Sequence, residues 1–329
     1  MKTVMVTGAT GLIGARICER LIRQGDKVRA LARNPESADA LALRKLGVEI
    51  TPGDISDPAC VRGATEGTDG VIHSAALRGL PGATIAASLP PNTIGTMNVL
   101  AAAVAAGGVP VVQVLTSTFF DAWDAPLTET SPLDLLCRNT DPYSVTKRLA
   151  YVEGLARVAG GQDIRFMLPG AGYGPTVCLE NAMFHPNFND RLARAIRGEL
   201  APEMPLSVPY VLADDCAYVC VAALEKGVTG ERYMAFGRQQ DVGTLASICN
   251  RACEIAGVAH RVDEVPRERL DDPDVVAKYG VTMTTLAKRR APDPLFDSRF
   301  TEERLGYVPT PLDDGLAMTI DWMRRNSFI

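Results

Sequence analysis

Residues 3–22 constrain the fold more than any other stretch of the chain. An apolar run, Thr3 to Val6, stops at Thr7-Gly8, and Gly8, Gly11 and Gly14 recur at every third position. The pattern then passes into Leu12-Ile13, Ile17 and Leu21-Ile22, the spacing of one apolar helix face. A strand, a tight turn and an amphipathic helix succeed one another without a gap. Glycines let the backbone turn and approach a ligand closely, while the exposed N–H groups and dipole at a helix start favour an anion. The stretch Gly8, Thr10, Gly11, Leu12, Ile13, Gly14 therefore reads as a cradle for the pyrophosphate of a dinucleotide.

The remainder of the first half fits that reading. Lys27 to Ala32, Val48 to Thr51, Gly70 to His73 and Val109 to Thr116 are short apolar runs. Helical patterns separate them, at Pro35 to Leu46 and at about Asn92 to Ala106. Apolar strands alternating with helices predict an α/β fold, a doubly wound parallel sheet covered on both faces. In such sheets ligands bind beyond the carboxyl ends of the strands, so the residues there carry the functional expectations.

At the end of the second strand Ala32 stands where an NAD-binding chain places an acidic residue for the ribose hydroxyls, and Arg33 and Asn34 follow it. A guanidinium there suits a 2'-phosphate, which predicts NADP(H), with NAD(H) as the alternative. Asp54 and Ile55, after the third strand, are placed to meet the adenine, and the small Ala75 and Ala76 would let the cofactor lie close. The fifth strand ends in Thr116-Ser117-Thr118. Phe119 to Thr140 then shows no periodicity, and connections of this length commonly line or cover a binding site. The next helix opens on Asp141-Pro142, a cap and first-turn pair, and carries Tyr143 and Lys147 four residues apart on one face. That spacing predicts an ammonium depressing the phenol pKa, so that the tyrosine exchanges a proton with a carbonyl or alcohol oxygen.

With these residues in place the chain resembles the extended short-chain dehydrogenase/reductases, the NAD(P)-dependent epimerase/dehydratase group. Thr7 to Gly14 is similar to its cofactor motif, Asn92 to Leu100 to its fourth-helix segment, and Pro169 to Pro175 to its sixth-strand ending. The resemblance continues through Tyr210 to Ala217 and Gly230 to Tyr233. It implies that Tyr143 is the acid/base and that Lys147 holds the nicotinamide ribose. It also implies that Pro169 and Gly172 pass the nicotinamide, and that Thr116 belongs to the cofactor site. The family serine falls at Thr118, with Ser117 as the alternative hydroxyl. Nucleotide-sugar members carry a glycine-rich turn and a basic residue for the sugar nucleotide's phosphates; here Glu199 to Pro205 is acidic and proline-rich. The branch that this departure suggests is similar to the dihydroflavonol reductases and related carbonyl reductases. Phe119, Phe120, Trp123, Met183, Phe184 and His185 would then line a pocket for an uncharged, partly apolar substrate.

The expected organisation is a dinucleotide-binding domain over residues 1–175, joined by 206–236 returning to it. A smaller mixed α/β substrate domain occupies mainly 176–329, with Asp263 to Arg290 as exposed, charge-rich helix. The resemblance also implies a homodimer through the helices at 92–106 and 141–159. A net charge of −5 argues against a nucleic-acid partner, and no apolar run reaches the length of a membrane span. Met1-Lys2 leads straight into the first strand, so a cytoplasmic location is expected. Cys216/Cys220 and Cys249/Cys253 each fall on one helix face as buried thiols, and His73, His185 and His260 are scattered, so no metal site is expected. The substrate is thus a small carbonyl compound or alcohol. The alternative is a nucleotide-sugar epimerase or dehydratase with tightly held NAD(P).

Overall fold

The computed structural model of the chain describes residues 1–78, 82–185, 187–288 and 295–329. In chain order the strands are β1 (Thr3–Thr7), β2 (Lys27–Ala32), β3 (Glu49–Pro52), β4 (Gly70–His73), β5 (Val111–Val114) and β6 (Ile164–Pro169). Five more come after them: β7 (Ala171–Tyr173), β8 (Ser207–Val208), β9 (Tyr210–Leu212), β10 (Arg232–Ala235) and β11 (Gly243–Thr244). Seven of them form one parallel sheet in the order β10-β6-β5-β4-β1-β2-β3. The order reverses at β1, so the cleft between β1 and β4 is the switch point at which a doubly wound sheet binds its ligand.

The alternation of β1 shows why both faces are covered. Val4 and Val6 enter one core, shared with helices α1 (Leu12–Arg23) and 213–226, while Met5 enters the opposite one. The helices that close this second face lie at 58–65, 95–105 and 142–159. Between α1 and the first of these lies α2 (Ala38–Lys45), which Ser37 caps by accepting from the Ala40 N–H. The later helices that concern the site are α3 (Pro58–Thr65), α4 (Ile85–Leu89), α5 (Gly95–Ala105), α6 (Pro142–Ala159), α7 (Leu179–Met183), α8 (Phe188–Ile196) and α9 (Ala213–Lys226). Helix α9 is tied to α1 by Asp214, which pairs with Arg16 at 2.7 Å and Arg20 at 2.9 Å.

The helix expected from Asn92 instead begins at Ile85 and passes through a wide π turn at Pro90–Ile94 before α5. Pro90 and Pro91 have no N–H to place in an α-helical ladder, which accounts for the irregular turn. Gly95 opens α5 because a Cβ there would come within 2.9 Å of Ile55 Cγ2.

Within 206–236 only β10 hydrogen-bonds into the main sheet; β8 pairs with β11 and β9 with β7. Beyond these short pairs the C-terminal part is mostly helical, around a core of its own that includes Leu192, Ile196, Leu316 and Met323. The stretch expected as exposed helix from Asp263 differs. It folds as a 3-10 turn and two short helices, Pro273–Tyr279 and Val281–Lys288, over a small core of Met204, Val265, Leu270, Val275 and Ala287. Its apolar residues are spaced closely enough to bury one another despite the charges around them. The end of that expected helix, Arg289 and Arg290, and Pro186 of the expected substrate segment lie outside the described residues.

Asp39 makes one of the contacts that join the two parts. Asp39 on α2 is 2 % exposed, and its carboxylate accepts from the N–H groups of Glu180 (3.2 Å) and Asn181 (2.9 Å) and from Asn181 Nδ2 (2.8 Å).

Candidate active site

The glycine turn builds its end of the cleft from backbone alone. Gly8 has φ +67°, and a Cβ there would lie 2.7 Å from the Ala75 backbone. A Cβ on Gly14 would fall 2.1 Å from Gly8 O. Gly11 is the N-cap of α1, its N–H donating to Gly8 O at 3.0 Å, and neither a side-chain cap nor an acidic residue occupies the first turn. The helix start therefore keeps donors for an outside anion, and Thr10, Leu12 and Ile13 flank it half-buried. The cradle thus fits the pyrophosphate of a dinucleotide, which Gly8, Gly11 and Gly14 would hold.

The neighbouring strand ends are in place around it. Arg33 and Asn34 are exposed after β2, Asn34 Oδ1 accepting from the Glu36 N–H at 3.2 Å, and among the described residues no carboxylate pairs with Arg33. Asp54 is exposed, one oxygen occupied by the Ser56 N–H at 2.7 Å. Ile55 is core, packed beneath α5. Ala75 donates its N–H to Thr7 Oγ1 at 3.2 Å, and Ala76 beside it is half-buried.

Between these strand ends and α6 runs a chain of buried polar groups that the sequence did not announce. His73 sits fully buried, with Nδ1 2.7 Å from Thr7 Oγ1 and Nε2 2.8 Å from Thr96 Oγ1. Thr96 donates to Asn92 O at 2.7 Å, so it accepts from Nε2–H, and Thr7 donates to Nδ1. Burial, and secondarily the charge of Lys147, hold the imidazole neutral by pushing its pKa down to about 3.

At the far end, α6 starts where Asp141 accepts from the Ser144 N–H at 3.0 Å. Thr118 Oγ1 lies 2.6 Å from Ser144 Oγ and accepts from Thr116 Oγ1 at 3.3 Å. Asn139 Nδ2 donates to both Ser144 Oγ (3.1 Å) and Thr118 O (3.2 Å). Tyr143 is half-buried and hydrogen-bonded to Thr116. Ser117 is half-buried beside this cluster. Ser144 and Asn139 were missed by sequence reasoning; the only signal was their nearness to Tyr143 and the cap.

Lys147 corrects the expectation drawn from its spacing. It is 1 % exposed, and its Nζ donates to Val114 O at 2.6 Å. Burial lowers its pKa to about 8. The Tyr143 phenol is not depressed but pushed up to about 12 by burial, which outweighs its hydrogen bond with Thr116 and the charge of Arg78. The two residues share a helix face, yet desolvation of the phenol outweighs the one cation that acts on it.

The expected substrate lining divides. Phe119 and Phe120 are 3 % and 4 % exposed, tilted against each other and packed against the Tyr151 ring, so they are core supports of the loop. Trp123 is half-buried under the Arg138 guanidinium, 4.6 Å from its ring centroid. Met183 packs against the C-terminal core, Phe184 is exposed, and His185 Nδ1 is paired with Asp190 at 2.7 Å. Pro169 ends β6, and Gly172 lies over Ile13, with 3.7 Å between the place of a Cβ and Ile13 Cδ1. Among the described residues no group of three or more His, Cys, Asp or Glu is arranged to hold a metal, and no helix is long and apolar enough to cross a membrane.

A switch-point cradle facing a tyrosine-bearing helix across a parallel sheet defines a dinucleotide-binding fold of the short-chain dehydrogenase/reductase type. Residues 4–235 match the model of the NAD dependent epimerase/dehydratase family, and the chain belongs to that family. It is 28% identical over 351 residues to the sterol demethylase protein B of Methylococcus capsulatus, covering 99% of this chain and 100% of that one. It is 30% identical over 253 residues to cinnamoyl-CoA reductase 1 of Oryza sativa, covering 72% and 71%. The UDP-glucose 4-epimerase of Bifidobacterium longum, solved with NAD+ and UDP, shares the fold at a TM-score of 0.77 and 20% identity, over 99% of both chains.

Proposed function

We propose that the protein is an NADP(H)-dependent oxidoreductase acting on a small carbonyl compound or secondary alcohol, with Tyr143 as its acid/base. The observation that carries this is the placement of Tyr143, half-buried at the start of α6 beside the hydroxyl cluster of Thr116, Thr118 and Ser144. A phenol protonated at neutral pH is suited to donate to a carbonyl oxygen. The bound dinucleotide would supply the hydride. Thr118, not Ser117, faces α6 through Ser144, which supports it as the hydroxyl that orients the substrate oxygen. Lys147, anchored on Val114 O, would present its remaining protons to the nicotinamide ribose. The exposed Arg33 supports NADP(H) over NAD(H). A relative named as a cinnamoyl-CoA reductase is in keeping with carbonyl reduction.

The test is a panel of aldehydes and ketones monitored by NADPH absorbance, with Tyr143→Phe in parallel. Turnover that survives the substitution would remove the mechanism. The nucleotide-sugar reading is disfavoured because the arginines beside the acidic Glu199 to Pro205 stretch are already engaged by it, Arg191 with Glu203, and Arg194 and Arg197 with Glu199. Stoichiometric co-purification of cofactor with no net NADPH consumption would restore it.

A homodimer through α5 and α6 is supported by their exposed Met97, Val104, Leu149, Val152 and Leu155. A cytoplasmic location is supported by eight free cysteines, six of them buried. A dinucleotide domain over 1–175 with 206–236, and a substrate domain mainly over 176–329, is the division of the chain that goes with this function.

A further inference from the structure

His73 has no role in the proton and hydride transfers proposed for the cleft, yet the buried polar chain through it runs unbroken from one half of that cleft to the other. One end is Thr7, the residue before Gly8. Its Oγ1 accepts from the Ala75 N–H at 3.2 Å and gives its own proton to His73 Nδ1 at 2.7 Å. Across the ring, Nε2–H donates to Thr96 Oγ1 at 2.8 Å, and Thr96 donates to Asn92 O at 2.7 Å. Asn92 also grips Leu77, whose N–H donates to Oδ1 at 2.6 Å and whose carbonyl accepts from Nδ2 at 3.0 Å. The same Nδ2 donates to Thr146 Oγ1 at 3.0 Å, and Thr146 donates to Pro142 O at 2.7 Å, one residue from Tyr143. Thr93 Oγ1 secures this junction by donating to Thr146 O at 2.9 Å.

Thr7, His73, Thr96, Asn92 and Thr146 are each at most 1 % exposed. Polar groups shut away from water must keep their partners, so a shift at one member has to be taken up by the next. The neighbours assign an acceptor to every ring and hydroxyl proton along the chain, which leaves the imidazole one orientation. A leucine would fill a similar volume without desolvating two ring nitrogens. What the imidazole adds is a fixed separation between Thr7 and Thr96. The cradle end is equally tight: the place of a Cβ on Gly8 is 2.7 Å from Ala75 N, so the turn cannot move without the residue whose N–H Thr7 holds.

We propose that His73 is a positioning residue that couples the two halves of the cleft. A diphosphate settling on the glycine turn suppresses its local opening, and through Thr7, His73 and Thr96 the first turns of α6 are held more firmly. The dinucleotide would then help to place Tyr143 before its nicotinamide end engages. The inference rests on the dinucleotide reading of the glycine turn, and the test reports on that reading separately.

ADP is the probe, because it carries a diphosphate for the turn and no nicotinamide ribose to touch α6. Amide exchange is followed by mass spectrometry with and without saturating ADP. In the wild type, ADP should slow exchange at residues 8–15 and also, by about threefold to tenfold, at residues 143–148. His73→Leu should abolish the second effect and keep the first. Thr96→Val, which cuts the chain on the Nε2 side with little change of shape, should do the same, so the result does not depend on His73→Leu folding. Thr96→Ser, which keeps the hydroxyl, should retain both effects. Exchange at 143–148 that ignores ADP in the wild type overturns the proposal. So does an undiminished effect in Thr96→Val; a lowered melting temperature beside it would mark the chain as core packing alone. If ADP leaves residues 8–15 unchanged as well, the dinucleotide reading of the turn falls too; slowing at 8–15 alone leaves that reading standing.

Discussion

The glycine turn at residues 8–14 and the entry to α6 at 139–147 stand at one edge of the same sheet and are built by opposite means. At the turn, backbone does the work: Gly14 is required because 2.1 Å separates the place of its Cβ from Gly8 O. At α6, side chains do it, and Thr116, Thr118, Asn139 and Ser144 fix one another by hydrogen bonds. A site made of backbone tolerates almost no change at its glycines. A site made of side chains can be edited one function at a time, and substitutions separate the two regions on that basis.

The largest effect belongs to the turn. Gly14→Val should cost about 3 kcal/mol or more in stability, with loss of dinucleotide binding, read by chemical denaturation and NADPH titration. Gly63→Ala on α3, where a Cβ meets nothing within 4 Å, should be neutral or stabilising. If both glycines behave alike, the backbone account of the turn fails. Next comes Tyr143→Phe, which should lower kcat by about a hundredfold to ten-thousandfold and leave NADPH affinity and the melting temperature nearly unchanged.

The third effect concerns the polar chain between the two regions. His73 is neutral when folded, with its pKa lowered to about 3, whereas the unfolded chain binds a proton below about 6.5. The unfolded state is therefore the better proton binder between these values, and stability is lost as pH falls from about 6.5 towards about 3. The loss should be about 2–4 kcal/mol. His73→Gln should flatten that slope in urea denaturation across pH, while a slope unchanged in the variant would point to other groups. The smallest effect is expected at the rim: Arg33→Ala should weaken NADPH binding about tenfold and NADH binding hardly at all. Equal losses would remove the 2'-phosphate argument.

The contrast also explains what the sequence made legible. Glycine spacing encodes a backbone path, so the cradle, the strands β1, β2 and β4 and the parallel sheet could be read from residue order alone. Side-chain partners depend on which segments meet in space. Nothing in the sequence states that Asn92 holds Leu77, or that Ser144 meets Thr118, because 15 and 26 residues separate them. Burial is the other hidden variable. The Tyr143 and Lys147 spacing places both on one face of α6, but the burial of the phenol depends on what packs around it in the fold. Phe119 and Phe120 misled for the same reason, since an aromatic in a long loop looks the same in sequence whether it faces a pocket or Tyr151.

The carboxylate of Asp39 bears on how the chain can be divided. It belongs to the half that carries the glycine turn, yet every hydrogen bond described for its two oxygens comes from residues 180 and 181. Cutting the chain at residue 175 would remove α9, which closes the core face of Val4 and Val6, together with the donors to Asp39. The first half therefore should not survive alone as a soluble cofactor-binding module, and a fragment ending there should be recovered unfolded or aggregated. Asp39→Asn in the full chain should loosen residues 179–185, seen as faster amide exchange there, while β1 to β4 stay protected.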